Sequence, residues 1–150
     1  MNRRNEPEVM PIVLAECKPG AVMLDELEAL FQSQWPDFTF DGYSSELLRP
    51  VAAISNEQLV GGLAFTFYPH PNACHDALWV NALFVVSGFR GSGAARRLIA
   101  NAINEAAGQG YSELLAYTHI PDFYKRLGWR QIEAQSEPGH SVMSISLTAG

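Results

Sequence analysis

The chain has 150 residues, enough for one domain with a sizeable core, and its 47% apolar and 17% charged content is that of an ordinary globular protein. A net charge of −6 argues against nucleic acid as the main partner. No stretch reaches the roughly 18 apolar residues of a membrane span, and Cys17 and Cys74 form neither a C-x-x-C pair nor a disulfide framework.

Residues 1–9 read as a flexible tail without the apolar run of a signal peptide, and residues 10–150 as a single domain. With free thiols and no membrane signal, a cytoplasmic protein is expected. "MPIVLAE", 10–16, predicts a first strand that Lys18-Pro19-Gly20 breaks. Over 22–35, Leu24, Leu27, Leu30, Phe31 and Trp35 recur at helical spacing. "YSSELL", 43–48, suggests a short second helix. "VAAIS", 51–55, and "LVGGLAFTFY", 59–68, predict a β-hairpin, with Gly61-Gly62 marking a bulge or a close backbone approach.

A turn-rich loop at 69–77 leads into "LWVNALFVV", 78–86, nearly continuous in apolar residues, as in a central strand buried on both faces. Ala95, Leu98, Ile99, Ala102, Ile103 and Ala106 then form a helical stripe ended by Gly108 and Gly110. "YSELLAY", 111–117, predicts a strand. "PDFYKRL", 121–127, predicts a short helix with Pro121 in its first turn. "WRQIEA" and "SVMSISLT" close the chain as two strands around a loop at 135–140. The fold class is α/β, with a mixed sheet.

The stretch "SGFRGSGAARRL", 87–98, sets Gly88, Gly91 and Gly93 directly before a helix. A helix start exposes unpaired N–H groups and the positive end of its dipole, and glycines let the backbone approach closely. Arg96 and Arg97 add charge, so the pattern points to a phosphate-bearing, nucleotide-like ligand. No Lys-Ser or Lys-Thr follows, which excludes a P-loop, and Gly91-x-Gly93-x-x-Arg96 departs from the dinucleotide fingerprint. Charge is divided along the chain: residues 21–89 hold eight acids and one base, whereas residues 90–130 hold six bases and three acids. The second part suits an anion, the first a cation.

"ALFVVSGFRGSGAARRLI", 82–99, resembles the coenzyme A-binding motif of the GNAT superfamily of N-acetyltransferases: a strand, then [Q/R]-x-x-G-x-[G/A], then a helix. Here it reads Arg90-Gly91-Ser92-Gly93-Ala94-Ala95. A second family signature, F-Y-x-x-x-G-[F/W], stands as Phe123 to Trp129. The pair lies in family order, and the resemblance spans about residues 10–148. It implies a mixed, mostly antiparallel sheet of six or seven strands, flanked by about four helices, with central strands splayed at the cofactor site. It implies acetyl-coenzyme A as cosubstrate, and no metal. The backbone of Leu83, Phe84 and Val85 would pair with the pantetheine arm. The amides of residues 90–95 would hold the pyrophosphate, and Arg96, Arg97 or Arg126 the remaining phosphate. Thr118 or His119 would contact the cofactor from a loop one residue shorter than in many relatives. Tyr124 matches the tyrosine that protonates the departing thiolate.

Many relatives carry a basic glutamate on the central strand; here that position is Asn81 or Ala82. His70, His75 and Asp76, just before this strand, are candidates to order a water or take the amine's proton. Direct transfer in a ternary complex is expected, since neither motif contains a cysteine. The acceptor side implied by the family carries Trp35, Asp37, Asp41, Tyr43, Glu46, His70 and His75. Acid with aromatic suits a cationic amine such as a polyamine, an aminoglycoside or a peptide N-terminus. Trp35 also reads as the end of the first helix's core stripe. An acyl-coenzyme A sensor without turnover is the alternative class, an aminoglycoside-modifying enzyme the narrower one. "SVMSISL" has two expected partners, a strand of its own chain or a second copy in a homodimer.

Overall fold

The computed structural model describes residues 11–147; the predicted tail at 1–9 lies outside them. The order is β1 (Ile12–Glu16), α1 (Val22–Gln32), β2 (Val51–Ser55), β3 (Gln58–Pro69), β4 (Asp76–Val85), α2 (Ala94–Gly108), β5 (Glu113–Thr118), α3 (Pro121–Arg126), β6 (Arg130–Ile132) and β7 (Ser141–Ser146), with a 3-10 turn at Ser87–Phe89. The seven strands form one sheet in the order β1-β2-β3-β4-β5-β7-β6. Every pairing is antiparallel except β4 with β5. No helix among the described residues is long and apolar enough to cross a membrane.

Alternation along the strands loads both faces of the sheet. On one face Val51, Ala53, Leu63, Phe65 and Val80 meet Leu98, Ile99, Ala102 and Ala106 of α2. On the other, Ala52, Ala64 and Ala82 meet Leu27 and Phe31 of α1. The small residues under α1 let that helix approach closely. A Cβ on Gly62 would collide with Leu27, and one on Gly61 would lie 2.7 Å from the carbonyl oxygen of Phe84. Of the two readings of the glycine pair, the contacts show the close approach, and a bulge lies beside it at Val60. The hairpin turns at Asn56 and Glu57, both at positive φ (51° and 64°), the conformation a two-residue turn needs.

Three expectations need correction. Residues 43–48 form no helix: Ser44 Oγ accepts the Glu46 amide at 3.1 Å, a local turn that competes with helical bonding, and Pro50 closes the segment. The described residues therefore hold three α-helices rather than about four. The first helix ends at Gln32, short of Trp35; the Trp35 amide still bonds back to the Phe31 carbonyl at 2.8 Å, but its side chain turns outward.

Two irregularities of β4 shape the site. Ala64 pairs with Ala82 and Phe65 with Val80, so Asn81 is an extra residue in a β-bulge. The bulge reverses side-chain parity: Val80 faces α2, yet Ala82 faces α1. Moreover, β4 pairs with β5 only at Trp79↔Leu115 and Val80↔Ala116. Beyond Val80 the two parallel strands part, giving the expected splay. The strand β7 pairs with both β5 and β6 of its own chain.

Candidate active site

The glycine loop exposes backbone rather than side chain. Gly91 and Gly93 sit at φ +85° and +88°, and Gly93 is the N-cap of α2, without a side-chain cap. The Arg90 amide bonds the Ser87 carbonyl at 3.3 Å, the Ser92 amide the Phe89 carbonyl at 3.2 Å, and the Ala94 amide Ser92 Oγ at 3.3 Å. That leaves Gly91, Gly93, Ala95 and Arg96 with N–H groups that meet no acceptor among the described residues. Such a run, at the positive end of a fifteen-residue helix, forms a cradle for an anion.

The basic side chains divide. Arg90 turns back: its Nε donates to the Val85 carbonyl at 3.1 Å, and its guanidinium lies over the Phe84 ring. Arg97 donates to the Ile12 carbonyl on β1. Arg96 and Arg126 are exposed and form no ion pair among the described residues.

Where β4 and β5 part, a cavity of about 700 Å³ opens. Its floor includes Val80, Asn81, Ala82 and Leu83 of β4, and Tyr117 and Thr118 of β5. Tyr124 enters from α3, Trp35 from beyond α1, and Tyr68 and His70 from the end of β3; His119, Ile120, Gln135 and His140 come from two loops. Tyr124 is buried, its ring packed edge-on against Phe123 and Trp129 at 5.2 and 5.0 Å. Burial raises its pKa well above the usual tyrosine range, so its proton stays on at neutral pH.

Asn81 Nδ2 donates to Tyr43 Oη at 2.5 Å. Burial raises the Tyr43 pKa, and the Asn81 hydrogen bond partly offsets the rise. With its amide nitrogen so engaged, Asn81 presents its carbonyl oxygen as an acceptor. His70 is committed on both sides of its ring. Nδ1 accepts the Asn72 amide at 3.0 Å, which places the proton on Nε2, facing Glu113 Oε1 at 3.0 Å. The other Glu113 oxygen accepts Ser144 Oγ. Thr118 is buried, and its Oγ1 caps the Ile120 amide at 2.9 Å.

Among the sequence-predicted residues, the cavity gathers Leu83, Thr118, His119, Tyr124, Trp35 and His70; Tyr43 touches it through Asn81. Phe84, Val85 and residues 90–95 belong to the strand end and glycine loop beside it. Asp41 and His75 do not line the cavity; His75 Nδ1 is held by its neighbour's carbonyl, Asp76 O, at 2.8 Å. Neither Asp37 nor Glu46 lines it.

Sequence reasoning missed His140, Tyr68 and Tyr117. His140 stacks on Tyr117 (4.9 Å, 19°) and stands 5.9 Å from His119, and its buried Nδ1 has no partner among the described residues. The Glu137 amide donates to Tyr117 Oη at 2.8 Å, tying the 135–140 loop to β5. The loop's turn composition carried no hint of this. Among the described residues no cluster of His, Cys, Asp or Glu could hold a metal ion.

The family model described as "Acetyltransferase (GNAT) family" matches residues 16–129. No curated protein matches the chain in sequence. Among solved structures, the GNAT family N-acetyltransferase YhbS of Escherichia coli in complex with CoA superposes with a TM-score of 0.74 at 18% identity, covering 95% of this chain and 84% of that one. Arabidopsis thaliana Naa50, in complex with the bisubstrate analogue CoA-Ac-MVNAL, gives 0.69 at 19% identity, covering 91% and 99%. The aminoglycoside 6'-N-acetyltransferase of Enterococcus faecium gives 0.68 at 17%, covering 89% and 96%. At these identities the superpositions show a shared fold.

Proposed function

The chain belongs to the GNAT acetyltransferase family and is an acetyl-coenzyme A-dependent N-acetyltransferase; from that premise we propose that it acetylates a primary amine by direct attack within one ternary complex. The observation that carries this reading is the parting of β4 from β5 after Val80, which opens a cavity reaching from Leu83 to Tyr124.

The residues present fit the cosubstrate. The amides of Gly91, Gly93, Ala95 and Arg96 would receive the pyrophosphate, and exposed Arg96 and Arg126, in no ion pair among the described residues, would meet the remaining phosphate. The edge of β4 over Leu83–Val85, left by β5, offers backbone groups to an extended arm. Acetyl-coenzyme A supplies a thioester whose carbonyl carbon the amine nitrogen attacks, the C–N bond forming as the C–S bond breaks.

The side chains have separable tasks. The Asn81 carbonyl oxygen accepts an N–H of the incoming amine and orients its lone pair, with Tyr43 fixing the amide. The proton leaving nitrogen passes to an imidazole of the cavity wall, His119 or His140, directly or through water, because His70 has no free ring nitrogen. Tyr124 keeps its proton and donates it toward the departing sulfur.

The test is thiol release from acetyl-coenzyme A with pools of polyamines, aminoglycosides, amino acids and short peptides, wild type against Tyr124→Phe. Amine-dependent release that falls in the variant is expected. Tight coenzyme A binding with no release from any pool would instead support a sensor.

A further inference from the structure

The acetyltransferase reading, on which this inference rests, leaves the acceptor open. The cavity's own chemistry narrows it. None of the described residues lining it is Asp or Glu. The nearby carboxylate of Glu113 is taken up by His70 and Ser144. The acids that sequence reasoning assigned to the acceptor, Asp37, Asp41 and Glu46, lie elsewhere. A ligand with several ammonium groups would be desolvated here without counter-charges, which is costly.

What the cavity offers instead is apolar surface at its mouth. The described residues expose six large hydrophobic side chains, and four of them line this cavity: Trp35 (43% exposed), Tyr68 (64%), Tyr117 (43%) and Ile120 (47%). A cluster of solvent-exposed rings around a concave site marks the surface a ligand covers. Tyr68 is held edge-on to Trp79 at 6.1 Å, and Tyr117 is clamped by the Glu137 amide and the His140 stack. The wall is therefore fixed before the ligand arrives.

We propose that the acceptor is a monoamine with an apolar or aromatic body. One nitrogen would meet Asn81 beside the thioester, and the body would lie between Trp35, Tyr68, Tyr117 and Ile120. The aromatic faces tolerate one ammonium on approach. The same chemistry has two sources, a free arylalkylamine or the α-amino group of a peptide beginning with an apolar residue.

The experiment compares kcat/KM for tryptamine, a Met-Val tripeptide amide, spermidine and kanamycin, by thiol release, with coenzyme A binding followed by calorimetry. Tryptamine or the peptide is expected to exceed both polycations by at least about tenfold, a difference one or two buried contacts supply. Which of the two is used identifies the source. Ile120→Glu, at an exposed position, is expected to move the ratio toward spermidine by roughly tenfold. Preference for spermidine or kanamycin in the wild type overturns the inference while leaving the transferase reading intact. Coenzyme A binding with no acetylation of either apolar amine also overturns it. Failure to bind coenzyme A would overturn the transferase reading itself.

Discussion

The two sides of the β4–β5 cleft are built on different principles. The side proposed for the cosubstrate is made of backbone: the edge of β4 left by β5, two glycines at positive φ and the amides opening α2. The side proposed for the acceptor is made of side chains, brought from β3, β5, α3, the segment after α1 and two loops. A phosphate needs N–H groups and space, which any sequence supplies once the glycines are in place. An amine's body is selected by the shape and polarity of particular side chains. One side of the cleft is thus generic, and the other is where this chain is individual.

Tyr124 stands between the two sides, and its removal has the largest expected effect. Tyr124→Phe keeps the ring packing against Phe123 and Trp129, and is expected to lower kcat about 100-fold with coenzyme A affinity unchanged. A fall in affinity instead would place Tyr124 on the cosubstrate side. Burial raises its pKa, so wild-type kcat is expected to show no basic limb from this group below about pH 10. By the same sign, the unfolded chain ionises this tyrosine first, so stability falls as pH climbs past that value.

Gly93→Val tests the backbone side alone. A β-branched residue at φ +88° costs about 1–2 kcal/mol and displaces the amides, so the Kd for coenzyme A should rise at least about tenfold. Tyr68→Ala, by contrast, should raise only the acceptor's KM. Equal effects of both variants on both ligands would erase the distinction between the two sides.

Tyr43→Phe removes the hydrogen bond that orients Asn81, a loss of about 1 kcal/mol, and a few-fold fall in kcat/KM is expected at constant coenzyme A affinity. Smallest in effect is thiol labelling. Cys74, exposed in the loop before β4, should react with a thiol reagent in the folded protein, with at most a slight change in acceptor KM. Cys17, buried and with its thiol pushed up to about 11, should react only on unfolding. Mass spectrometry after labelling at pH 8 should find one adduct, at Cys74.

Strands and helices with strong periodicity were legible from sequence, including the α2 stripe and the β2–β3 hairpin. So was the glycine loop, because its glycines are local and their conformation is a property of their own backbone. Segment 43–48 was misread because a Ser44 turn outweighed a weak helical pattern.

Of the proposed acceptor wall only Trp35 and His70 were legible, since contact between Tyr117 and His140, or between Asn81 and Tyr43, depends on strand order and register across 20 to 40 residues of chain. The Asn81 bulge is a register event between two strands, invisible in either one. The sequence alone therefore determined the class of fold and the glycine loop that opens α2, through local backbone preference and apolar period. Only the tertiary structure decided which side chains line the cavity: it tied His70 to Glu113 and left the predicted acids outside. The physical reason is that side-chain chemistry at a site is set by neighbours distant in sequence, whereas backbone geometry is set by neighbours along it.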